Sequence, residues 1–189
     1  MNTPKRYEYF AKGVISEIST VLSLVKEEEI VKLMEEIVRA EKIFIVGLGR
    51  VFLSLQCLAK RLAHFGFDVN VVGSIVEKSI TGRDLLIVAS GSGESQVPVN
   101  ITKIAKKYHA RIALITSAQQ STIKSLSDAV VHLPCPTKND FSFGVKSIQS
   151  MSTLFDQTLH IFGDVLCLLL QQKTGQTNEE LWSRHANLE

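Results

Sequence analysis

Hydrophobic and polar positions divide the chain into helical ends and a strand-rich middle. Apolar residues recur at helical spacing from Thr3-Pro4 to about residue 25, and again over residues 30–40. Five short apolar runs rich in valine and isoleucine follow, at 42–47, 68–73, 84–90, 110–116 and 128–134. Because these runs are mostly too apolar to have a solvent-facing side, they predict parallel strands covered on both faces.

Helical patterns separate the predicted strands. They cover residues 51–66, 95–108 and 121–127, with a shorter connection over 74–83. This alternation predicts the α/β class, as a three-layer sandwich with a five-stranded parallel sheet. After the sheet, the apolar period predicts one long helix over residues 145–172 and a shorter one over 177–185. The helices outside the sheet region leave apolar surface for a partner subunit.

The predicted elements fit a single domain over residues 1–189. Its parts are N-terminal helices at 1–40, a sheet core at 42–134, and C-terminal helices and a tail at 145–189. The chain is 45% apolar, which is enough for a substantial core.

Composition argues against several classes of function. The formal net charge is +2 and no long basic run occurs, so we expect no nucleic-acid partner. The longest apolar segment, residues 165–170, is far shorter than the roughly 20 residues of a membrane span, so we expect no membrane partner. The N-terminus lacks the apolar region of a secretory signal. Scattered cysteines without a CxxC spacing indicate reduced thiols, no metal site and a cytoplasmic protein.

A glycine-rich loop, Gly47-Leu48-Gly49-Arg50, follows the first predicted strand. A dinucleotide-binding fingerprint would need a small residue where Phe52 stands and an acidic residue at the end of the second strand, where Gly73 stands. Both requirements fail. The two glycines still allow a ligand to approach bare backbone, although a turn without a ligand explains this loop equally well.

A second loop, Ser90 to Ser95 (SGSGES), follows the third predicted strand and precedes a helix. Serine hydroxyls, flexible glycines and the free N–H groups of a helix start together make a good phosphate cradle. The loop has no lysine, so it is not a nucleoside-triphosphate loop, and it does not read G-x-S-x-G. The alternative is a serine-glycine turn with an ordinary N-cap. Thr116-Ser117 adds hydroxyls where the fourth strand ends.

Together, the GLGR loop, the SGSGES loop and Thr116-Ser117 resemble the sugar isomerase (SIS) domain. The run SIQSMSTLFDQ at 147–157 is similar to the SIQPMGSLFEQ run of that family, and the last six residues, RHANLE at 184–189, match the ending of 6-phospho-3-hexuloisomerases. The resemblance covers nearly the whole chain.

This resemblance implies a flavodoxin-like fold, usually a homotetramer, and interconversion of 3-hexulose 6-phosphate and fructose 6-phosphate in the ribulose monophosphate route of formaldehyde fixation. The implied acid–base groups are Asp156 and His185. The expected substrate- and phosphate-binding residues are Gly49, Arg50, Ser90, Gly91, Ser92, Glu94, Ser95, Thr116 and Ser117. Moving a carbonyl through an enediol requires only proton transfers, so no metal or cofactor is expected.

Two positions depart from the family pattern. Val51 replaces a serine that commonly contacts the ligand, and Asp156 replaces a glutamate with one more methylene. From the residues alone, Asp156 also fits an ordinary helix-face ion pair with His160, and His185 fits a solvated tail residue. The alternatives are an isomerase for another sugar phosphate and a non-catalytic binder of one.

Overall fold

The computed structural model describes residues 3–137 and 144–188, which form twelve helices and strands. The helices are α1 (Thr3–Ser23), α2 (Glu27–Arg39), α3 (Gly49–His64), α4 (Gln96–Lys107), α5 (Thr122–Leu126), α6 (Thr153–Thr174) and α7 (Asn178–Ser183). The strands are β1 (Ile43–Val46), β2 (Val69–Val71), β3 (Leu85–Ala89), β4 (Arg111–Thr116) and β5 (Ala129–His132). Glu189, the last residue of the RHANLE tail, lies outside the described residues.

All five strands are parallel, in the order β2-β1-β3-β4-β5. In the central strand β3, alternate residues point to opposite faces: Leu85 and Ile87 enter one apolar cluster, and Leu86 and Val88 enter another. This arrangement explains why the strand runs have no polar side, because both faces of the sheet are covered. The predicted five-stranded parallel sheet is confirmed.

Helices cover the two faces of the sheet unequally. One apolar cluster contains buried side chains of α1, α2, α3 and α6, including Val21, Ile37, Leu58 and Phe162. The other cluster is smaller and draws on α4 and α5, through Val99, Ala105 and Ile123. Helix, sheet and helix therefore form the expected three layers.

The chain reverses its winding direction between β1 and β3. These strands are neighbours in the sheet, but α3 follows β1 onto one face and α4 follows β3 onto the other. The two loops that leave the carboxyl ends of β1 and β3 therefore diverge. In open α/β sheets, the crevice at such a switch point is the usual place for a ligand.

The prediction of one helix over residues 145–172 was wrong in its first part. Helix α6 begins at Thr153, and the described residues before it form bends and turns. Met151 has a φ of 57°, in the left-handed region that a helix does not contain. The N–H of Ile148 donates to the Glu17 carboxylate of α1, and this tertiary hydrogen bond replaces one within a helix. Segment 74–83 forms turns without a helix.

Helix α6 is the one described helix that is long and apolar enough to cross a membrane by length and composition. However, 56% of its most apolar window is buried inside the protein. Phe162 and Leu166 are buried in the cluster that also holds Leu58 of α3. Its apolar character is therefore that of a core helix.

Candidate active site

The loops after β1 and β3 enclose a depression at the switch point of the sheet, with a volume of about 160 Å³. Its walls come from four segments of the chain: the two loops, the segment that follows β5, and the start of α6. The lining residues are Leu48, Val51, Ala89, Ser90, Gly91, Ser92, Ser95, Thr137, Ser152 and Phe155. Three of the serines that the sequence singled out thus lie around one depression.

Hydrogen bonds within the Ser90–Ser95 loop fix its shape. The hydroxyl of the buried Ser90 accepts from the Gly93 N–H at 3.1 Å and donates to the Ser95 hydroxyl at 3.4 Å. The hydroxyl of Ser92 accepts from the Glu94 N–H at 3.3 Å. Ser92 and Ser95 use their oxygens as acceptors in these bonds, so their hydroxyl hydrogens remain to be donated to an anion.

Helix α4 begins beside the serine hydroxyls with an uncompensated positive end. Ser95 is its N-cap, but the serine side chain makes no capping hydrogen bond. The first turn of the helix contains no acidic residue. The partial positive charge of a helix N-terminus and its free N–H groups favour a bound anion. The interpretation of Ser95 as an ordinary N-cap side chain therefore does not hold.

Gly93 is required at its position for two reasons. Its φ is +64°, which side chains other than glycine rarely adopt. A Cβ atom there would also lie 2.2 Å from the Ser121 hydroxyl oxygen. Ser121 caps α5 by accepting from the Lys124 N–H. A side chain at position 93 would therefore displace either the loop or the start of α5.

Three of the expected binding residues support the loop from outside the depression. Thr116 is fully buried and donates to the Ser90 carbonyl at 2.8 Å. Ser117 is also fully buried, and its N–H donates to the Gly91 carbonyl. The Glu94 carboxylate accepts from the Thr122 N–H at the start of α5. In this conformation these three residues hold the shape of the loop, Ser117 through its backbone, and they do not line the depression.

Asp156 lies beside the depression and pairs with Arg50. Arg50 Nε donates to Asp156 Oδ2 at 2.9 Å. Arg50 directly precedes the lining residue Val51, and Asp156 directly follows the lining residue Phe155. Burial raises the pKa of the Asp156 carboxyl above its ordinary value, although the Arg50 guanidinium acts in the opposite direction. The ion-pair partner of Asp156 is therefore Arg50 of α3, and not His160 one turn further along α6.

His185 lies at the other end of α3. Its ring centroid is 5.2 Å from that of His64 and 5.1 Å from that of Trp182. These rings line a groove of about 590 Å³ between α3, α6 and α7. Because Arg50 and His64 are fourteen residues apart on one helix, they are separated by about 21 Å along its axis. One chain therefore does not bring Asp156 and His185 together.

Some residues of the site carried no signal in the sequence. Thr137 lines the depression from the segment that follows β5, and Ser54 donates from α3 to the Asp156 carbonyl at 3.1 Å. Ser152 and Phe155 lay within the run at 147–157 but had no assigned role there. Within residues 3–137 and 144–188, no group of three or more His, Cys, Asp or Glu side chains could hold a metal ion.

Known proteins resemble the chain over nearly its whole length. The SIS domain family matches residues 36–161. A 3-hexulose-6-phosphate isomerase from Bacillus subtilis (strain 168) is 34% identical over 185 residues, covering 98% of this chain and 100% of the relative. An enzyme of the same name from Mycobacterium gastri is 39% identical over 176 residues, covering 93% and 88% of the two chains.

The fold also has a solved counterpart. The crystal structure of a hypothetical protein from Methanococcus jannaschii aligns with a TM-score of 0.82 and 27% identity, covering 96% of this chain and 99% of the other. That structure was described as inferring a molecular function of 3-hexulose-6-phosphate isomerase. The resemblance to the SIS domain is confirmed: this chain belongs to the SIS domain family, together with relatives named 3-hexulose-6-phosphate isomerase.

Proposed function

We propose that this protein is a 6-phospho-3-hexuloisomerase, which interconverts 3-hexulose 6-phosphate and fructose 6-phosphate. The observation that carries the proposal is the serine-lined depression at the start of α4, with a buried carboxylate beside it. The near full-length similarity to relatives named 3-hexulose-6-phosphate isomerase supports the same reaction. It would serve the ribulose monophosphate pathway in the cytoplasm.

The phosphate of the sugar binds at the Ser90–Ser95 loop in this proposal. Ser92 and Ser95 donate their hydroxyl hydrogens, and the N-terminus of α4 adds its free N–H groups. Gly91 and Gly49 leave space for the ligand against the backbone. Thr116, Ser117 and Glu94 act indirectly, because they hold the loop. Neutral donors and a helix end suit a phosphate monoester, so we propose that binding needs no divalent metal.

Asp156 is the proposed base of the reaction. It takes the proton from C2 of 3-hexulose 6-phosphate to give the 2,3-enediol, and a proton returned to C3 gives the carbonyl at C2. A carboxyl whose pKa is raised by burial is a stronger base once ionised, which favours this transfer. Arg50 holds Asp156 before the substrate arrives and, being two-thirds exposed, can turn to an enediolate oxygen.

His185 is the proposed second acid–base group, and it acts in the depression of a neighbouring subunit. It moves protons between the two substrate oxygens. The separation along α3 argues against a role in its own chain. The depression itself is also smaller than the roughly 300–1,000 Å³ of most ligand pockets, which supports a second chain that encloses the rest of the sugar phosphate.

Exposed apolar side chains supply the surface for that neighbour, and we propose a homotetramer. They lie on α1, α6 and α7: Tyr7, Tyr9, Phe10, Ile15, Ile161, Val165, Leu168 and Trp182. Contiguous exposed apolar surface is typical of subunit interfaces. We further propose that residues 1–189 form one SIS domain, and that the reaction uses no cofactor, metal, nucleic acid or membrane.

A coupled assay tests the function directly. Purified protein should convert fructose 6-phosphate to a product that a hexulose-phosphate synthase cleaves, and EDTA should leave the rate unchanged. A panel of other ketose phosphates, including pentulose 5-phosphates, tests the alternative that Val51 and the shorter Asp156 have moved the specificity. Binding of fructose 6-phosphate without turnover would indicate a non-catalytic binder instead.

A further inference from the structure

Glu17 of α1 is a buried carboxylate that the proposed reaction does not use. It is 9% exposed, and both of its oxygens accept hydrogen bonds from one tripeptide, residues 147–149. Oε1 accepts from the Ile148 N–H at 2.6 Å. Oε2 accepts from the Ser147 hydroxyl at 2.7 Å and from the Gln149 amide at 3.0 Å. Hydrogen bonds to an ionised acceptor are shorter and stronger than neutral ones.

The same face of α1 makes room for this tripeptide one turn earlier. Gly13 lies four residues before Glu17, in the middle of the helix, where glycine costs about 1 kcal/mol relative to alanine. A Cβ atom at Gly13 would lie 2.6 Å from Cδ1 of Ile148 and would push the end of that side chain aside. On this face of α1, Gly13 therefore leaves space for the Ile148 side chain, and Glu17, one turn later, accepts the Ile148 N–H.

We call Glu17 and the tripeptide 147–149 that it holds the Glu17 clamp, and this tripeptide lies just before a wall of the depression in the chain. Val145, just before it, donates its N–H to the Pro134 carbonyl at 2.8 Å, so the segment is held at both ends. Ser152, three residues after it, lines the depression. The Ser152 carbonyl accepts from the Asp156 N–H at 3.1 Å in the first turn of α6. The location of the clamp thus determines where one wall of the depression and the start of α6 lie.

We propose that Glu17 is a positioning residue for the isomerase: it holds residues 147–149 against α1 and so sets Ser152 and Asp156 at the depression. This inference rests on the proposed function. Glu17 lies outside the residues that match the SIS domain family, which begin at residue 36. The N-terminal helix therefore serves the site as well as the core. A displacement of about 1 Å at a reacting group can cost about a hundredfold in rate.

The test compares Glu17→Gln with Glu8→Gln, an exposed residue of the same helix that pairs with Lys12. Glu17→Gln keeps the shape of the side chain but removes its charge and one acceptor oxygen. We expect it to lower kcat/KM for fructose 6-phosphate by about tenfold or more, since the reacting carboxylate is displaced. Amide hydrogen exchange should quicken over residues 145–152 and stay unchanged in β3 and β4. Glu8→Gln should match the wild type.

A second variant removes the hydrogen-bond donors of the Glu17 clamp instead of its acceptor. Ser147→Ala combined with Gln149→Leu removes two donors without touching α1, so it also covers the case in which Glu17→Gln does not fold. It should show the same loss of kcat/KM and the same local exchange. If both variants lose only thermal stability while the folded protein keeps wild-type kcat/KM, Glu17 is merely structural and the proposal is overturned.

The outcome is separable from that of the proposed function. If wild-type protein binds fructose 6-phosphate but does not isomerise it, the function fails while the clamp remains testable. In that case Glu17→Gln should weaken fructose 6-phosphate binding in calorimetry and quicken exchange over residues 145–152. Unchanged affinity together with unchanged exchange would overturn the clamp by itself.

Discussion

Arg50 Nε donates a 2.9 Å hydrogen bond to Asp156 Oδ2, joining the first turn of α3 to the first turn of α6. The two residues are 106 positions apart in the chain. The pair combines a buried carboxylate with a guanidinium that is 66% exposed. The arginine can therefore leave the pair for a ligand, whereas the carboxylate stays in place. Substitution of either residue should therefore affect the reaction in a different way.

Arg50→Gln should move the acidic limb of the pH profile of kcat/KM to higher pH. Burial already raises the pKa of Asp156, and Arg50 opposes that shift by favouring the charged form. Without the guanidinium the pKa rises further, so less of the base is ionised at a given pH. Rates measured over a pH series in the coupled assay check this. Arg83→Gln, which breaks an exposed pair with Glu41, serves as the control and should leave the limb unchanged.

Asp156→Asn should preserve binding of fructose 6-phosphate and stop exchange of the substrate carbon proton with solvent. Loss of a positioned base costs about 10²- to 10⁴-fold in rate. Proton NMR of fructose 6-phosphate in D₂O measures the exchange. Asp156→Glu should keep or raise activity, because it restores the longer acid of the family. Full activity of Asp156→Asn would remove this residue from the mechanism.

Ser92→Ala should weaken binding of fructose 6-phosphate and of inorganic phosphate. A hydrogen bond to a charged group is worth about 1.5–3 kcal/mol, which corresponds to about a ten- to hundredfold loss of affinity. Titration calorimetry with and without EDTA measures it. Ser125→Ala, on α5, removes a hydroxyl that donates to the Thr122 carbonyl and does not line the depression, so this variant should bind normally. Unchanged affinity in Ser92→Ala would show that the phosphate lies elsewhere.

His185→Ala should lower kcat more than it raises KM, and it should complement Asp156→Asn. If the two groups meet across a subunit boundary, mixed oligomers contain some pockets with both intact residues. Activity should then appear when the two inactive variants are mixed and their subunits exchange. Native mass spectrometry of the mixture establishes the exchange. No recovery after verified exchange would contradict a site shared between subunits and would remove His185 from the proposed mechanism.

The protein should form an oligomer, most simply a tetramer, at micromolar concentration. Light scattering should give a mass several times the 21.0 kDa of one chain. Leu168→Glu on α6 should shift the mass downwards, because leucine at that position is 64% exposed in the single chain and suited to an apolar interface. Lys173→Glu near the end of the same helix is the charge-changing control. A monodisperse wild-type monomer would contradict the shared site as well.

The local pattern of this sequence was sufficient for the fold class, and it located the Ser90–Ser95 loop that we propose binds phosphate. Valine- and isoleucine-rich runs alternating with helical periods predict buried parallel strands, since only sheets covered on both faces tolerate them. Ser90, Ser92 and Ser95 lie between a strand and a helix. Because they directly precede the helix in the chain, the sequence alone places their hydroxyls beside a helix N-terminus, which favours an anion. The family motifs pointed to Asp156 and His185 without showing their distance from each other.

Contacts between distant parts of the chain decided the rest. Before the start of α6 at Thr153, the Glu17 carboxylate accepts the Ile148 N–H that a helix would use internally. A bond between residues so far apart leaves no periodic pattern in the sequence. Thr116 became a support because its hydroxyl meets the Ser90 carbonyl across neighbouring strands. The separation of Asp156 from His185 depends on which ends of α3 they meet. Local spacing determines the elements, whereas the packing of those elements determines which side chains share a site.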